Sequence, residues 1–368
     1  MSQFSKNKTV VRFPPSPTGP LHVGNVRTAL FNYFFARQNN GEFIVRVEDT
    51  DKERSKKKYE DDILESLKWL GLSHNNKEIW RQSERTEVYK SYLNKLIENG
   101  KAYIRDETEG ENKQVVRFKN PNITVAFEDL VRGKVSFDTT ELGDFIIARN
   151  INDPLYHLAV VVDDFEQGIT HVIRGEDHIS NTPRQILIQE AIGASRPVYA
   201  HLPLILAPDR SKLSKLKHGE MVSLNHYKNL GYLPDAIVNF LSFIGFNPGG
   251  DKELYTLDKL IKVFDFNKIQ SGGAIFNVEK LDWMNKEYMI HQSIDEQFSN
   301  FNFQISLTKF KNDKKISDKL FMEKLLKITL DHITRWGKVK ELVEAGELDY
   351  FFKAPQYPKE MLQSKFEQ

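Results

Sequence analysis

His22 stands two residues before Gly24 in the stretch PTGPLHVGN, at the end of a loop that also holds Pro14, Pro15, Pro17 and Pro20. A short apolar segment precedes this loop and a long aromatic one follows, so it joins a strand to the N-terminus of a helix. Helix N-termini expose unpaired N–H groups and a positive dipole end, which suits phosphate. Gly19 and Gly24 let a ligand approach the backbone. The prolines fix the loop, so ordering it around a ligand costs less entropy. The imidazole of His22 can donate a hydrogen bond to a phosphate oxygen. The same residues also fit a rigid strand-to-helix turn with a surface histidine.

Three further clusters carry chemistry. In DRSKLSKLKHG (209–219), Lys212, Lys215 and Lys217 surround Ser214; flexible lysines on a loop can neutralise phosphates whose charge changes during a reaction, although a charge run is also an ordinary solvated face. In VRVEDTDKERS (45–55) an acidic cluster follows a strand directly, at the carboxyl end of a sheet where α/β proteins bind ligands. Glu48 there can hold an ammonium group, or the cluster can simply cap the next helix. In HVIRGEDHISNTPRQ (171–185), Arg174 is placed to clamp a carboxylate bidentately, while Glu176 and Asp177 can pair with arginines.

The elements that must position these groups alternate. TVVRF (9–13) and EFIVRV (42–47) read as buried strands. Between them, Val26, Ala29, Leu30, Tyr33 and Phe34 form one face of a helix closed by Asn39–Gly41. Ile63, Leu64, Leu67 and Leu70, closed by Gly71, form a second helical face; Val88, Tyr92, Leu93 and Leu96, closed by Gly100, form a third. Such alternation implies parallel strands with right-handed crossovers. Residues 101–155 change character, with short strand-like pieces (VVRFKN, KVSFDT, DFIIARN) consistent with an inserted subdomain. HLAVVVDD (157–164), THVIRGEDH (170–178) and YAHLPLILAP (199–208) return to buried strand character, and Thr182 caps a helix with Pro183 at its first position. From about residue 220 the chain is mostly helical, and its last part is Lys-rich and amphipathic.

Bulk properties narrow the class without naming a reaction. The 368 residues suffice for two or three domains and a sizeable core. A net charge of +1 leaves no global field, so any polyanion must be met by local patches. No apolar run of ~18 residues or secretory leader is evident, so no membrane partner is expected. Zero cysteines exclude disulfides and thiolate zinc sites and fit a reducing cytoplasm.

Taken in order, the strand–PxPTGxLHxGN–helix block, EDTD, IRGEDHxxNTPRQ and the late KLSK loop closely resemble bacterial-type glutamyl-tRNA synthetases, which are class I aminoacyl-tRNA synthetases. His22-Val23-Gly24-Asn25 is similar to the HIGH-type signature, and Lys212-Leu213-Ser214-Lys215 to the KMSKS-type signature. RFPPSPTG, WRQSER (80–85) and YHLAVVVDD (156–164) resemble further blocks, and the similarity runs from about residue 9 to about residue 350. The resemblance implies a Rossmann-like α/β catalytic domain in two halves (1–98 and 156–209) and an inserted α+β acceptor-end subdomain (99–155). It further implies a KMSKS-type loop with a stem-contact region (210–291) and a mostly α-helical anticodon-binding part (292–368). It implies a monomer that uses ATP, L-glutamate and tRNA(Glu), with Mg²⁺ held mainly by the ATP phosphates. By the same resemblance, Arg12, Ser16, Glu48, Tyr156 and Arg174 match glutamate-holding positions. His22, Asn25, Lys212 and Lys215 match ATP-activating ones, with Gly19, Gly24, Leu213 and Ser214 beside the nucleotide. Arg335 and Trp336 offer a cation and a ring for single-stranded tRNA, or else a helix residue beside a half-buried indole.

The chain departs from the family in places. Leu216 stands where a final Arg is common, and Lys217 is expected to supply that charge one position later. Residues 104–115 are much shorter than the matching insertion, and the zinc site of some members cannot exist without cysteine. The chain stops at Gln368, near the end of the first helical anticodon-binding subdomain, where typical members continue into a second. Two other readings follow: a glutamyl-queuosine tRNA(Asp) synthetase, which lacks the anticodon-binding domain, and a non-catalytic tRNA-binding paralogue.

Overall fold

The computed structural model describes residues 8–106 and 114–353. Residues 107–113, part of the short stretch 104–115, and residues 354–368, at the end of the chain, lie outside the described residues.

The chain divides into two compact units, one of Met1–Asn225 and Val238–Asn277, the other of His226–Ile237 and Val278–Gln368. The first unit opens with β1 (Val10–Phe13), α1 (Val23–Gln38), β2 (Glu42–Val47), α2 (Lys57–Trp69), β3 (Trp80–Arg81) and α3 (Thr86–Glu98). Then come β4 (Ala102–Asp106), β5 (Gln114–Phe118), β6 (Thr124–Asp129), β7 (Gly133–Asp138), β8 (Phe145–Asn150) and β9 (Asp153–Pro154). They are followed by α4 (Tyr156–Glu166), β10 (His171–Gly175), α5 (Thr182–Ala191), β11 (Val198–Leu202), β12 (Ile205–Leu206) and α6 (Lys215–His218).

One seven-stranded sheet runs β3-β2-β1-β10-β11-β6-β7, parallel except for the β6–β7 hairpin at its edge. Chain order reverses between β1 and β10, whose registers meet at Val11 and His171. This switch point opens a crevice at the carboxyl ends of the strands. Segment 99–155 is thus shared between two sheets: β6 and β7 extend the parallel sheet, while β4, β5, β8 and β9 make a separate antiparallel one.

Helix α1 is buried around nearly its whole circumference rather than along one stripe, with Val26, Arg27, Phe31 and Asn32 covered as fully as Leu30 and Phe34. It lies against β1, β2 and β10 on one side, and the ring of Phe264 sits 5.2 Å from that of Phe31 on another. A glycine is required at residue 41, because a Cβ there would drive into the carbonyl oxygen of Thr9 as β2 comes up beside β1.

Three sequence expectations need correction. Residues 157–164 form helix α4, not a strand. Three consecutive valines read as β, but their helix penalty is only about 0.5 kcal/mol each, and burying each returns roughly 1.5–3 kcal/mol. Leu158, Ala159, Val160, Val161 and Val162 are all buried, so tertiary packing decides. Residues 199–208 are two strands, because Pro203 has no N–H for the ladder and the N–H of Leu204 turns to Glu176 Oε1 at 2.7 Å. The residue capping α5 is Asn181; Thr182 lies inside the helix and its hydroxyl accepts from Arg174 at 2.9 Å.

The second unit is helical, with a core that includes Met289, Phe301, Ile305, Leu325, Trp336 and Val339. Its helix Ile294–Ser306 starts from a capping box, Ser293 with Glu296, which satisfies two otherwise unpaired N–H groups. The turn at Arg335 and Trp336 packs on Leu230 and Gly231, whose carbonyls accept from Gly337 N and Trp336 N at 3.2 and 3.1 Å. Trp336 is only 2% exposed, with Nε1 donating to Gln292 at 3.2 Å, and Arg335 pairs with Glu341 at 2.9 Å. The indole therefore offers no open face for a base; it is more deeply buried than the half-buried alternative expects, and Arg335 lies in a turn rather than in a helix.

Candidate active site

A cavity of about 480 Å³ opens at the carboxyl ends of β1, β2, β10 and β11. Arg12, Ser16, His22, Gly24, Asn25, Glu48, Tyr156, Arg174, Lys212, Leu213, Ser214 and Lys215 all line it. Gly19 lies outside the lining, and Arg335 and Trp336 belong to the other unit.

The proline loop is tied down through its carbonyls, the only backbone hydrogen-bonding groups proline has. Pro15 O accepts from Glu48 N and Pro17 O from Lys56 N, each at 3.0 Å. His22 caps α1: its Nδ1 accepts from the Gly24 N–H at 2.9 Å. The Gly24 donor is thereby consumed, and the proton of the neutral ring must sit on Nε2. Burial, and then the Lys212 ammonium, lower the His22 pKa from its ordinary value. The ring at the helix N-terminus is thus a neutral donor. Its interaction with Lys212 also shows that two segments nearly two hundred residues apart meet here.

Below the loop lies a buried charge network. Arg12, 1% exposed, puts Nε 3.2 Å from both oxygens of Asp164. Arg46, at 0%, donates from Nη2 to Asp164 at 2.8 Å and to Glu48 at 3.0 Å, and from Nη1 to Gln167 at 2.7 Å. Asp163 beside it accepts from Gln82, Arg85 and Tyr89 at 3.1, 2.8 and 2.8 Å. Burial alone would raise the Asp164 pKa, but Arg12 and Arg46 outweigh it and hold the carboxylate ionised below its ordinary range. For Glu48 burial prevails over Arg46 and pushes the pKa up, which suits a carboxylate awaiting a further cation. Nη1 of Arg12 is buried and has no hydrogen-bond partner. A buried guanidinium donor without a partner costs free energy that an anionic ligand would return.

Arg174 forms the opposite wall. Its Nε donates to His201 Nε2 at 3.1 Å, Nη1 to Gln185 at 2.7 Å and Nη2 to Thr182 at 2.9 Å. Three of its five N–H groups are thus anchored and two remain. Tyr156 opens α4, with its hydroxyl 3.4 Å from His178 Nδ1.

The Lys-rich loop closes one side. Leu213 is buried and its N–H donates to Ile205 O at 3.0 Å, pinning the loop to β12. Lys212 Nζ pairs with Asp177 at 3.2 Å, and Lys215 opens α6. Lys217 does not take up the charge missing at residue 216: its ammonium lies 2.5 Å from Asp209 and 2.9 Å from Ser211 Oγ. Leu216 itself is fully exposed.

Sequence reasoning overlooked Arg46, Asp163, Asp164, Asp129 and His201. A signal existed for all but Asp129. Arg46 interrupts the apolar strand EFIVRV, and Asp163-Asp164 ends an apolar run whose members are all buried. His201 likewise interrupts the apolar stretch VYAHL, whereas Asp129 carries no such mark.

Residues 8–113 and 104–283 match the family model of the catalytic domain of class I tRNA synthetases (E and Q). The chain belongs to the class I tRNA synthetases. It is 47% identical over 324 residues to the glutamate–tRNA ligase of Aquifex aeolicus, covering 78% of this chain and 67% of that protein. It is 42% identical over 378 residues to glutamate–tRNA ligase 1 of Petrotoga mobilis, covering 96% and 79%. A crystal structure of a glutamate tRNA ligase from Elizabethkingia meningosepticum, in complex with its amino acid, superposes with a TM-score of 0.85 at 31% identity, over 98% of this chain and 83% of that one. Within the class, this chain belongs with the glutamate–tRNA ligases.

Proposed function

We propose that this chain joins L-glutamate to ATP, giving glutamyl-adenylate and pyrophosphate, and then transfers the glutamyl group to a hydroxyl at the 3′ end of tRNA(Glu), releasing AMP. The observation that carries the reading is the convergence of Arg12, Arg174 and Glu48 on one cavity, with Nη1 of Arg12 unpartnered. A ligand with two carboxylates and one ammonium asks for two cations and one acid. Ser16 and Tyr156 complete that end.

In this reading the glutamate carboxylate attacks the α-phosphorus and pyrophosphate leaves, with no protein nucleophile. His22 Nε2–H and Asn25 at the start of α1, together with Lys212 and Lys215, stabilise the phosphate charge that builds up as pyrophosphate departs. Lys212 must exchange Asp177 for phosphate to do so. Mg²⁺ enters on the ATP phosphates; among the described residues no group of three or more His, Asp or Glu could hold a metal, and no step is assigned to it. Residues 1–98 and 156–209 then serve as catalytic halves, 99–155 as the acceptor-end insertion apart from β6 and β7, which extend the catalytic sheet, 210–291 as loop and stem contact, and 292–368 as anticodon-binding part. We place the protein in the cytoplasm, consistent with its lack of cysteine, and expect it to act as a monomer; no helix among the described residues is long and apolar enough to cross a membrane.

The queuosine-type and non-catalytic readings are not favoured, because a relative named as a ligase aligns over 96% of this chain, the helical part included. Glutamate-dependent ATP–pyrophosphate exchange, with and without tRNA(Glu), tests the proposal. Exchange that depends on glutamate and grows with tRNA(Glu) is expected, and no exchange in either condition overturns it.

A further inference from the structure

His201 is the penultimate residue of β11 and has no solvent exposure, and the reaction above makes no use of it. Its Nδ1 is 2.6 Å from Asp129 Oδ2, and its Nε2 is 3.1 Å from Arg174 Nε and 3.2 Å from Thr182 Oγ1. Asp129 is itself held, accepting from the backbone N–H groups of Val131 and Arg132 at 2.9 Å and from that of His201 at 3.1 Å. A carboxylate this close to Nδ1 requires a proton on that nitrogen. The Nε–H of an arginine can only donate, so Nε2 must present its lone pair. Both ends of the ring therefore demand the same tautomer. Burial first, and also Arg174, keep the imidazole neutral against the opposing pull of Asp129.

We propose that Asp129 and His201 are positioning residues for Arg174: Asp129 fixes the imidazole with its proton on Nδ1, and the Nε2 lone pair holds the guanidinium so that its remaining N–H groups face the cavity as a carboxylate fork. This rests on the reading of Arg174 as a carboxylate ligand. It also gives the β6–β7 hairpin a role in the amino-acid site, since Asp129 ends β6 and Arg174 lies on β10, with β11 between them.

The test uses the full-length protein labelled with ¹⁵N-histidine. Its long-range proton–nitrogen spectrum, with His201 assigned by its loss in His201→Gln, should show a protonated Nδ1 and a bare Nε2. The opposite tautomer overturns the proposal without reference to activity. Asp129→Asn turns an amide N–H toward Nδ1, which favours the opposite tautomer and aims Nε2–H at Arg174. In pyrophosphate exchange its KM for glutamate should rise about tenfold or more, with the KM for ATP moving less than about twofold. A flipped tautomer with unchanged glutamate KM refutes the positioning role. His201→Gln, whose amide oxygen can accept from Arg174 Nε, should keep more glutamate affinity than His201→Leu; equal losses also refute it. Failure of the functional reading looks different: wild-type protein would show no glutamate-dependent exchange while the spectrum still reported the tautomer.

Discussion

Arg12 reaches across 152 residues of sequence to Asp164, its Nε 3.2 Å from both carboxylate oxygens, while its Nη1 lies buried without a partner. One edge of the guanidinium is fixed from behind and the other is left for a ligand. Replacing Arg12 by Lys keeps the charge but loses this division of labour, because an ammonium has no planar fork. The KM for glutamate in Arg12→Lys should rise by about 10²-fold with that for ATP little changed. Equal effects on both substrates would contradict the assignment.

His22→Ala removes both the helix cap and the Nε2–H donor. Adenylate formation should fall by about 10²-fold or more, whereas equilibrium binding of glutamate moves far less, because the donor acts where charge develops. Stopped-flow measurement of pyrophosphate release against calorimetric binding separates the two. An unchanged rate would remove His22 from the chemistry.

Arg46 neutralises Glu48 and Asp164 from a position with no exposure, and Arg46→Met would strand Glu48 and leave Asp164 with Arg12 alone. The loss of stability should be about 3–5 kcal/mol, read from urea unfolding. A smaller loss, below about 1 kcal/mol, would mean that water reaches the network.

Burial, reinforced by Arg184 and then Arg174 at His157 and by Arg174 at His178, lowers the pKa of both from 6.5 to about 4. In the unfolded chain these imidazoles take up protons near 6.5, and in the fold only near 4, so between those values the unfolded state binds more protons. Their stabilising contribution is complete above pH 6.5 and is lost as the pH falls toward 4. Unfolding midpoints should drop between pH 7 and pH 5, and His178→Gln should flatten the slope. A profile unchanged by that substitution would exclude His178 as a source.

Leu216 is fully exposed beside Lys215, while Lys217 is engaged with Asp209. Leu216→Arg should change stability by less than about 0.5 kcal/mol. It should also lower the KM for ATP by roughly 2–10-fold, since a free cation joins the phosphate end. If KM stays put, the loop works without a cation at that position.

Much of the site was legible because its residues sit where local rules mark them. His22 precedes a helix, Glu48 follows a strand, and Arg174 ends a strand beside a helix N-terminus with proline. What escaped was set by tertiary packing. The valines of α4 carry strand propensity, and only burial on several sides makes them helical. Thr182 looks like a cap, yet its hydroxyl serves Arg174 instead. The partnership of Asp129 with His201 spans 72 residues and two strands, and no spacing rule connects them. Lys217 stands one residue from the missing cation, but Asp209, eight residues earlier, holds its ammonium.

The strand order carries a consequence for synthesis on the ribosome. β1, β2 and β3 can assemble as soon as they emerge, and β6 can fold back on β7, but β10 and β11 lie between the two groups and come later in the chain. Once about 150 residues have emerged, β1 and β6 are therefore two unpaired strand edges of the kind that recruit neighbouring chains. The vulnerable interval closes when residues 171–202 leave the exit tunnel and slide between them, so translation speed through that segment sets how long the half-built sheet must be shielded.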